Sequence, residues 1–263
     1  MRLGERPSTV VGLAVAMLLL AGGSIPRAVG TAESAEVAPV PTVPPTAEPS
    51  RPPLEDFVRP VTDCTKHKCV ALTFDDGPGP DTGRLLDMLA AAGAKATFFV
   101  VGPEAARYPH FVLRAAEDGH EVGNHTMHHV QLTTQSTARL RREIDGTSKI
   151  IERILGFKPT LFRPPYGATS PRVAKEARDR GMSEIIWSVD TDDWRDRTAS
   201  VVARRAIHGL HPGAIILMHD IHPTTVNAVP KILAAAKKKG LTLATVTDVL
   251  GGNLKPGHKY TGD

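Results

Sequence analysis

Short apolar runs alternate with amphipathic stretches through most of the chain beyond residue 64. Strand-like runs fall at 69–74, 96–101, 120–123, 160–163, 184–189, 214–218 and 241–245. Between them, helices are expected near 81–92, 103–118, 136–155, 170–180, 198–210 and 224–239. In the third of these, Leu140, Ile144, Ile151, Ile154 and Leu155 recur at helical spacing and should face the core. Ser170 before Pro171 reads as an N-cap with proline at the first helical position, and Gly181 supplies the stop. Seven strands alternating with helices predict a parallel α/β fold. An open doubly wound sheet and a barrel share this alternation, and both gather their chemistry at the C-terminal ends of the strands.

The first sixty residues follow other rules. Arg2 and Arg6 precede an apolar run at 10–20, and small residues follow at Ala28, Val29 and Gly30. This is the pattern of a secretory leader over 1–30, with an uncleaved anchor as the alternative, and it predicts a secreted protein. The apolar run is shorter than the roughly 20 residues of a membrane span, so no stable span is expected after cleavage. Prolines at 39, 41, 44, 45, 49, 52, 53 and 60 make 31–63 a semi-extended linker. The expected organisation is leader 1–30, linker 31–63, main domain 64–255 and tail 256–263. Cys64 and Cys69 are the only cysteines. In an exported protein such a pair predicts one disulfide closing a tight loop. Two thiols with His67 fall short of the four ligands of structural zinc.

Composition narrows the class without choosing a function. With 263 residues, 41% hydrophobic and 23% charged, the chain matches an ordinary globular protein and excludes a disordered or collagen-like one. A net charge of +4 and a pI near 9.1 suit an acidic or wall environment. That charge is too diffuse to indicate a nucleic-acid partner. The densest basic run, Lys237 to Lys239, is expected to be a solvated helix end. A monomer is the default assembly.

Polar clusters stand at the ends of five of the expected strands: Thr73-Phe74-Asp75-Asp76-Gly77-Pro78, Asn124-His125-Thr126-Met127-His128-His129, Arg163-Pro164-Pro165-Tyr166-Gly167, Asp190-Thr191-Asp192-Asp193-Trp194 and Leu217-Met218-His219-Asp220. Each alone has an ordinary explanation as a turn or a loop opening; five at one end of one sheet do not. His125 and His129 share a face if their segment is helical. One carboxylate of Asp75-Asp76 would complete three ligands, the set of an open catalytic metal site, and the other could serve as a general base. His219 suits a proton donor, made more basic by a carboxylate from 190–193. Arg163 could pair with the base aspartate.

Taken together these motifs resemble the five ordered motifs of the polysaccharide deacetylase family, the NodB-homology carbohydrate esterases of family 4. The resemblance runs from about residue 70 to about 250. It implies a distorted (β/α)7 barrel and a metal-dependent hydrolase that releases acetate from N-acetylated polysaccharides such as peptidoglycan or chitin oligomers. It further implies Asp76, His125 and His129 as metal ligands, Asp75 as base held by Arg163, and His219 as acid held by Asp193. The Tyr166 backbone amide would stabilise the oxyanion, and Trp194 with Leu217 would wall the acetyl pocket. Zinc is the expected ion, with cobalt, nickel and iron compatible with the same ligands. The alternatives are an acetylxylan O-esterase using the same residues and a non-catalytic wall-binding protein. A paired-carboxylate glycosidase would leave His125 and His129 without a purpose.

Overall fold

The strand that opens the domain, β1 (Cys69–Asp75), is buried along its whole length in the computed structural model, which describes residues 59–262. The expected leader and most of the proline-rich stretch lie outside the described residues. Along β1 the side chains divide by the alternation of a pleated strand. Val70, Leu72 and Phe74 enter the core shared with the helices, whereas Ala71 joins Phe99, Leu161, Ile185 and Ile215 in a second, inner cluster.

The first half of the domain continues through α1 (Thr82–Ala91), β2 (Thr97–Val100), α2 (Gly102–Arg107), α3 (Pro109–Glu117), β3 (Glu121–Asn124) and α4 (Thr137–Leu155). Next come β4 (Leu161–Phe162), α5 (Pro171–Arg178), β5 (Ser183–Ile185), β6 (Val189–Asp190) and α6 (Ala199–His208). The last elements are β7 (Ile215–His219), α7 (Pro223–Lys238), β8 (Thr242–Leu243), α8 (Val246–Val249) and β9 (Lys259–Tyr260). Local signals explain several boundaries. Ser136 and Ser170 each accept a backbone N–H of the helix they cap, from Arg139 and Val173. Gly156 ends α4 in the left-handed conformation, at φ 83°. Leu140, Ile144, Ile151 and Leu155 are buried as their spacing predicts, with Ile154 half-buried beside them.

Three expectations are corrected. The helix expected over 103–118 is two helices, because the residue before a proline is driven out of the helical region. Tyr108, which precedes Pro109, stands at φ −125°, ψ 54°. The strand expected over 184–189 is also two strands, and they lie far apart in the sheet. The strand order is β6-β7-β1-β2-β3-β4-β5-β9, with β8 also on β1, and the pairs are parallel. β5 therefore belongs to one end of the order and β6, four residues later, to the other. The Ile186 N–H is bonded to the Tyr260 carbonyl and the Ser188 N–H to that of Ile215, so this short stretch bridges the two ends. Only a curled, nearly closed sheet permits that, and the α/β barrel expectation holds in distorted form. Finally, residues 256–262, expected as a tail, supply β9 at the sheet's end. At the other limit, Arg59 makes a bidentate pair with Asp248 from inside the expected linker.

Candidate active site

The five clusters meet around one cleft of about 350 Å³, lined by Asp75, Asp76, His125, His129, Tyr166, Trp187, Asp190, Trp194, Leu217 and His219. Arg163 and Asp193 stand behind it, both fully buried. The backbone at the rim is strained: Asp76, Thr126, His129, Tyr166 and Asp192 have φ between 50° and 71°, a region non-glycine residues rarely adopt.

That strain solves a problem of direction. Neighbouring residues of a strand point to opposite faces, so Asp75 and Asp76 could not share a site if β1 simply continued. Asp76 turns at φ 71°, and both carboxylates come to His125 Nε2, at 3.6 Å from Asp75 and 3.5 Å from Asp76. His129 Nε2 lies 3.4 Å from the same Asp76 oxygen, Oδ1. Tetrahedral ligands at about 2.0–2.1 Å from an ion stand about 3.3 Å apart, so this spacing fits a shared metal. Asp76 Oδ1 is also buried without a hydrogen-bond partner, as a ligand atom would be. His125 is prepared for the role. Its Nδ1 lies 2.7 Å from the Arg163 carbonyl oxygen, which makes Nδ1–H the donor and leaves the Nε2 lone pair facing Asp76. Burial, only partly opposed by Asp76, pushes its pKa down to about 3 and keeps the ring neutral. Asp76, His125 and His129 are thus able to hold a metal ion.

The helical-face argument for the two histidines is corrected: residues 125–131 are irregular, and the rings meet through the turns at Thr126 and His129, with centroids 4.9 Å apart.

Asp75 follows Thr73 by two residues on β1, and the same Arg163 Nη1 donates to both, at 2.8 Å to Asp75 Oδ1 and 2.7 Å to the Thr73 hydroxyl. Arg163 Nε donates to the Ile185 carbonyl, and its guanidinium lies 4.1 Å from the centre of the Phe99 ring. Burial pushes the Asp75 carboxyl above the usual aspartate range, against the pull of Arg163. On the neighbouring strand β7, His219 Nδ1 is 2.8 Å from Asp193 Oδ1. Asp193 Oδ2 accepts the His219 amide at 2.7 Å and the Thr225 hydroxyl at 2.6 Å. Burial opposes a charge on His219, but the Asp193 hydrogen bond and charge, with Asp75 and Asp76, outweigh it and push the ring up to about 9. Tyr166 and Trp194 remain 65% and 50% exposed and frame the mouth, while Leu217 is buried in the wall.

Sequence reasoning gives no role to Thr73 and Asp220, although both stand in the clusters, and misses Trp187 and Thr225. Thr73 shares the inner face of β1 with Asp75, a period-two signal. Trp187 and Thr225 had none, being brought in by the β5–β6 bridge and by α7. Asp220 is buried against Gly77, where an added Cβ would collide with its carboxylate, and it accepts from the Thr82 hydroxyl. Burial pushes Asp220 up to about 7, against that hydrogen bond. His120 is buried with Nδ1 accepting the Ala96 amide, and His222 turns its Nδ1 to Arg197 rather than into the cleft. The expected Cys64–Cys69 disulfide is formed at the start of β1.

Residues 62–185 match the family model described as polysaccharide deacetylase. Among curated proteins, the chain is 43% identical over 195 residues to the peptidoglycan-N-acetylglucosamine deacetylase PgdA of Listeria monocytogenes. That match covers 74% of this chain but 41% of the Listeria protein, so the chain spans about two fifths of that relative. A peptidoglycan-N-acetylglucosamine deacetylase of Bacillus cereus is 36% identical over 189 residues, covering 70% of this chain and 88% of its own. Among solved structures, the T48 deacetylase with substrate superposes with a TM-score of 0.72 at 40% identity, covering 76% of this chain and 99% of the other.

Proposed function

The chain belongs to the polysaccharide deacetylase family, and from that premise we propose that it hydrolyses N-acetyl groups on GlcNAc-type polymers, peptidoglycan or chitin oligomers, releasing acetate. The observation that carries the reading is the convergence of two supported dyads, Asp75–Arg163 and His219–Asp193, on the cleft lined by Asp76, His125 and His129.

Asp76, His125 and His129 would hold a divalent cation, zinc before cobalt, nickel or iron, and it would supply Lewis acidity toward the acetamide and lower the pKa of a water. Asp75 takes a proton from the attacking water, and burial, which raises its pKa, improves it as a base. Arg163 fixes the orientation of that carboxylate with a buried, charge-assisted bond. Water oxygen bonds to the acetyl carbon, and the oxyanion is met by the Tyr166 backbone amide. The C–N bond then breaks as His219 Nε2 delivers its proton to the leaving nitrogen, giving acetate and a free amine. Trp194 and Leu217 receive the acetyl methyl.

Export supports a wall substrate: the basic start and the apolar run of 10–20 are those of a leader. Among the described residues no helix is long and apolar enough to cross a membrane. We take the protein to act as a secreted, wall-associated monomer.

The test is acetate release by the full chain from peptidoglycan, chitooligosaccharides and acetylxylan, with chelator and then zinc. Chelator-sensitive release from the N-acetylated polymers is expected. Release from acetylxylan alone would move the reading to an O-esterase, and none from any substrate would move it to a wall-binding protein.

A further inference from the structure

The loop 125–131 delivers both histidines of the metal cluster although it has no regular structure of its own, so its shape must be imposed. Its first half is tied to the sheet and to α4. His125 donates its amide to the Val100 carbonyl, and the Thr126 amide donates to Asn124 Oδ1 at 2.8 Å. Asn124 in turn donates to the Ile144 carbonyl and to the Ser148 hydroxyl. The second half, which carries His129, is held differently. The His129 amide donates to the Thr126 hydroxyl inside the same loop, and the exposed Tyr166 hydroxyl reaches the His129 carbonyl at 3.3 Å. Val130, one residue later, packs on the cluster of Leu140 and Ile144, and the hydrogen-bonded link to a regular element is one residue earlier: the His128 amide donates to Glu143 Oε2 of α4 at 2.8 Å.

Glu143 is 3% exposed, and a buried carboxylate is costly unless its oxygens are satisfied. It adds nothing to the apolar face by which Leu140, Ile144, Ile151 and Leu155 hold α4 to the domain. Its other oxygen meets His128 Nδ1 at 3.1 Å and Arg139 at 3.6 Å, both on largely exposed side chains. The charge-assisted bond to the amide is therefore the interaction its burial serves.

We infer that Glu143 is a positioning residue for the metal centre, fixing His129 through the backbone amide of His128. The inference rests on the reading of Asp76, His125 and His129 as metal ligands. The groups behind first ligands set their direction, and losing one costs about 10–100-fold in metal affinity. Here the support reaches the ligand through the main chain, which is why the residue type at 128 matters less than the carboxylate at 143.

The experiment measures the zinc dissociation constant of the full chain by competition with a chromophoric chelator. The visible spectrum of the cobalt form and the melting temperature of the metal-free form are recorded beside it. Glu143→Ala is expected to weaken zinc about tenfold or more and to alter the cobalt spectrum. Glu143→Gln, which keeps an acceptor in place, should recover most of the affinity, and His128→Ala, which keeps the amide, should bind zinc as the wild type does. Should Glu143→Ala not fold, Glu143→Asp, which withdraws the oxygens by one methylene, carries the same expectation of weakened zinc. A wild-type zinc affinity and cobalt spectrum in Glu143→Ala and Glu143→Asp, with only the metal-free melting temperature lowered, would overturn the inference alone. A wild-type protein that binds no zinc would overturn the metal reading and the inference together.

Discussion

Asp75 and His219 are register partners on the adjacent parallel strands β1 and β7. The proposed base and acid are thus neighbours in the hydrogen-bonded ladder, and each is gripped from behind by a residue the sheet buries, Arg163 and Asp193.

The proposed acid should reveal itself in the pH profile. His219 is pushed up to about 9, chiefly because the Asp193 bond and charge outweigh burial, so it holds its proton below that pH and loses it above. Asp193→Asn removes that support, and the alkaline fall of kcat should move down toward the ordinary histidine range near 6.5. At neutral pH kcat should drop by about 10²–10⁴. An alkaline limb that stays in place would remove His219 from the acid role.

Loss of a ligand should separate metal binding from folding. His125→Ala should bind zinc more than about a hundredfold more weakly, beyond the cost of a supporting group, and should lose acetate release at micromolar zinc. Circular dichroism should stay that of the wild type. Full activity after dialysis against chelator would contradict the metal site.

Arg163 tests the buried pair. It is fully buried and Asp75 nearly so, and truncating one partner leaves an uncompensated charge. Arg163→Ala should cost about 3–5 kcal/mol in urea unfolding, whereas Arg163→Met with Asp75→Asn should cost much less. Equal losses in the two variants would argue that packing on Phe99, rather than the ion pair, dominates.

Stability at low pH should track Glu176. Arg141 and Arg180 donate to its carboxylate and hold it down to about 2, below the ordinary value of 4.5. A lowered folded value means the stabilisation is present above about pH 4.5 and lost as pH falls toward 2. Arg141 is half exposed, so Glu176→Gln should cost about 1 kcal/mol at pH 7, with melting curves converging near pH 2.

The sequence was legible where the signal was local. Strand ends announced themselves through Asp75-Asp76, His125 and His219, and caps through Ser170-Pro171, because those features depend on neighbours a few residues away. The break at Pro109 is equally local, but the apolar spacing on either side also fits one helix. Other features came from folding at a distance. The split between Ile185 and Val189 exists only because the sheet curls until both its ends meet one stretch of chain. β9 pairs through two residues that carry no strand pattern, and Thr225 reaches Asp193 from 32 positions away. The left-handed turns at Asp76 and His129 were invisible because neither residue is glycine.

Arg163 has a further consequence. Its base on β4's end is three strands from β1 in the sheet order, yet its guanidinium grips Thr73 and Asp75 while its Nε reaches the carbonyl of Ile185. It is a spoke across the inside of the wheel. The curvature of the sheet and the aim of the proposed base are then one quantity, and heat or substitution that flattens the rim slightly would mistune the proposed catalysis while the chain is still folded.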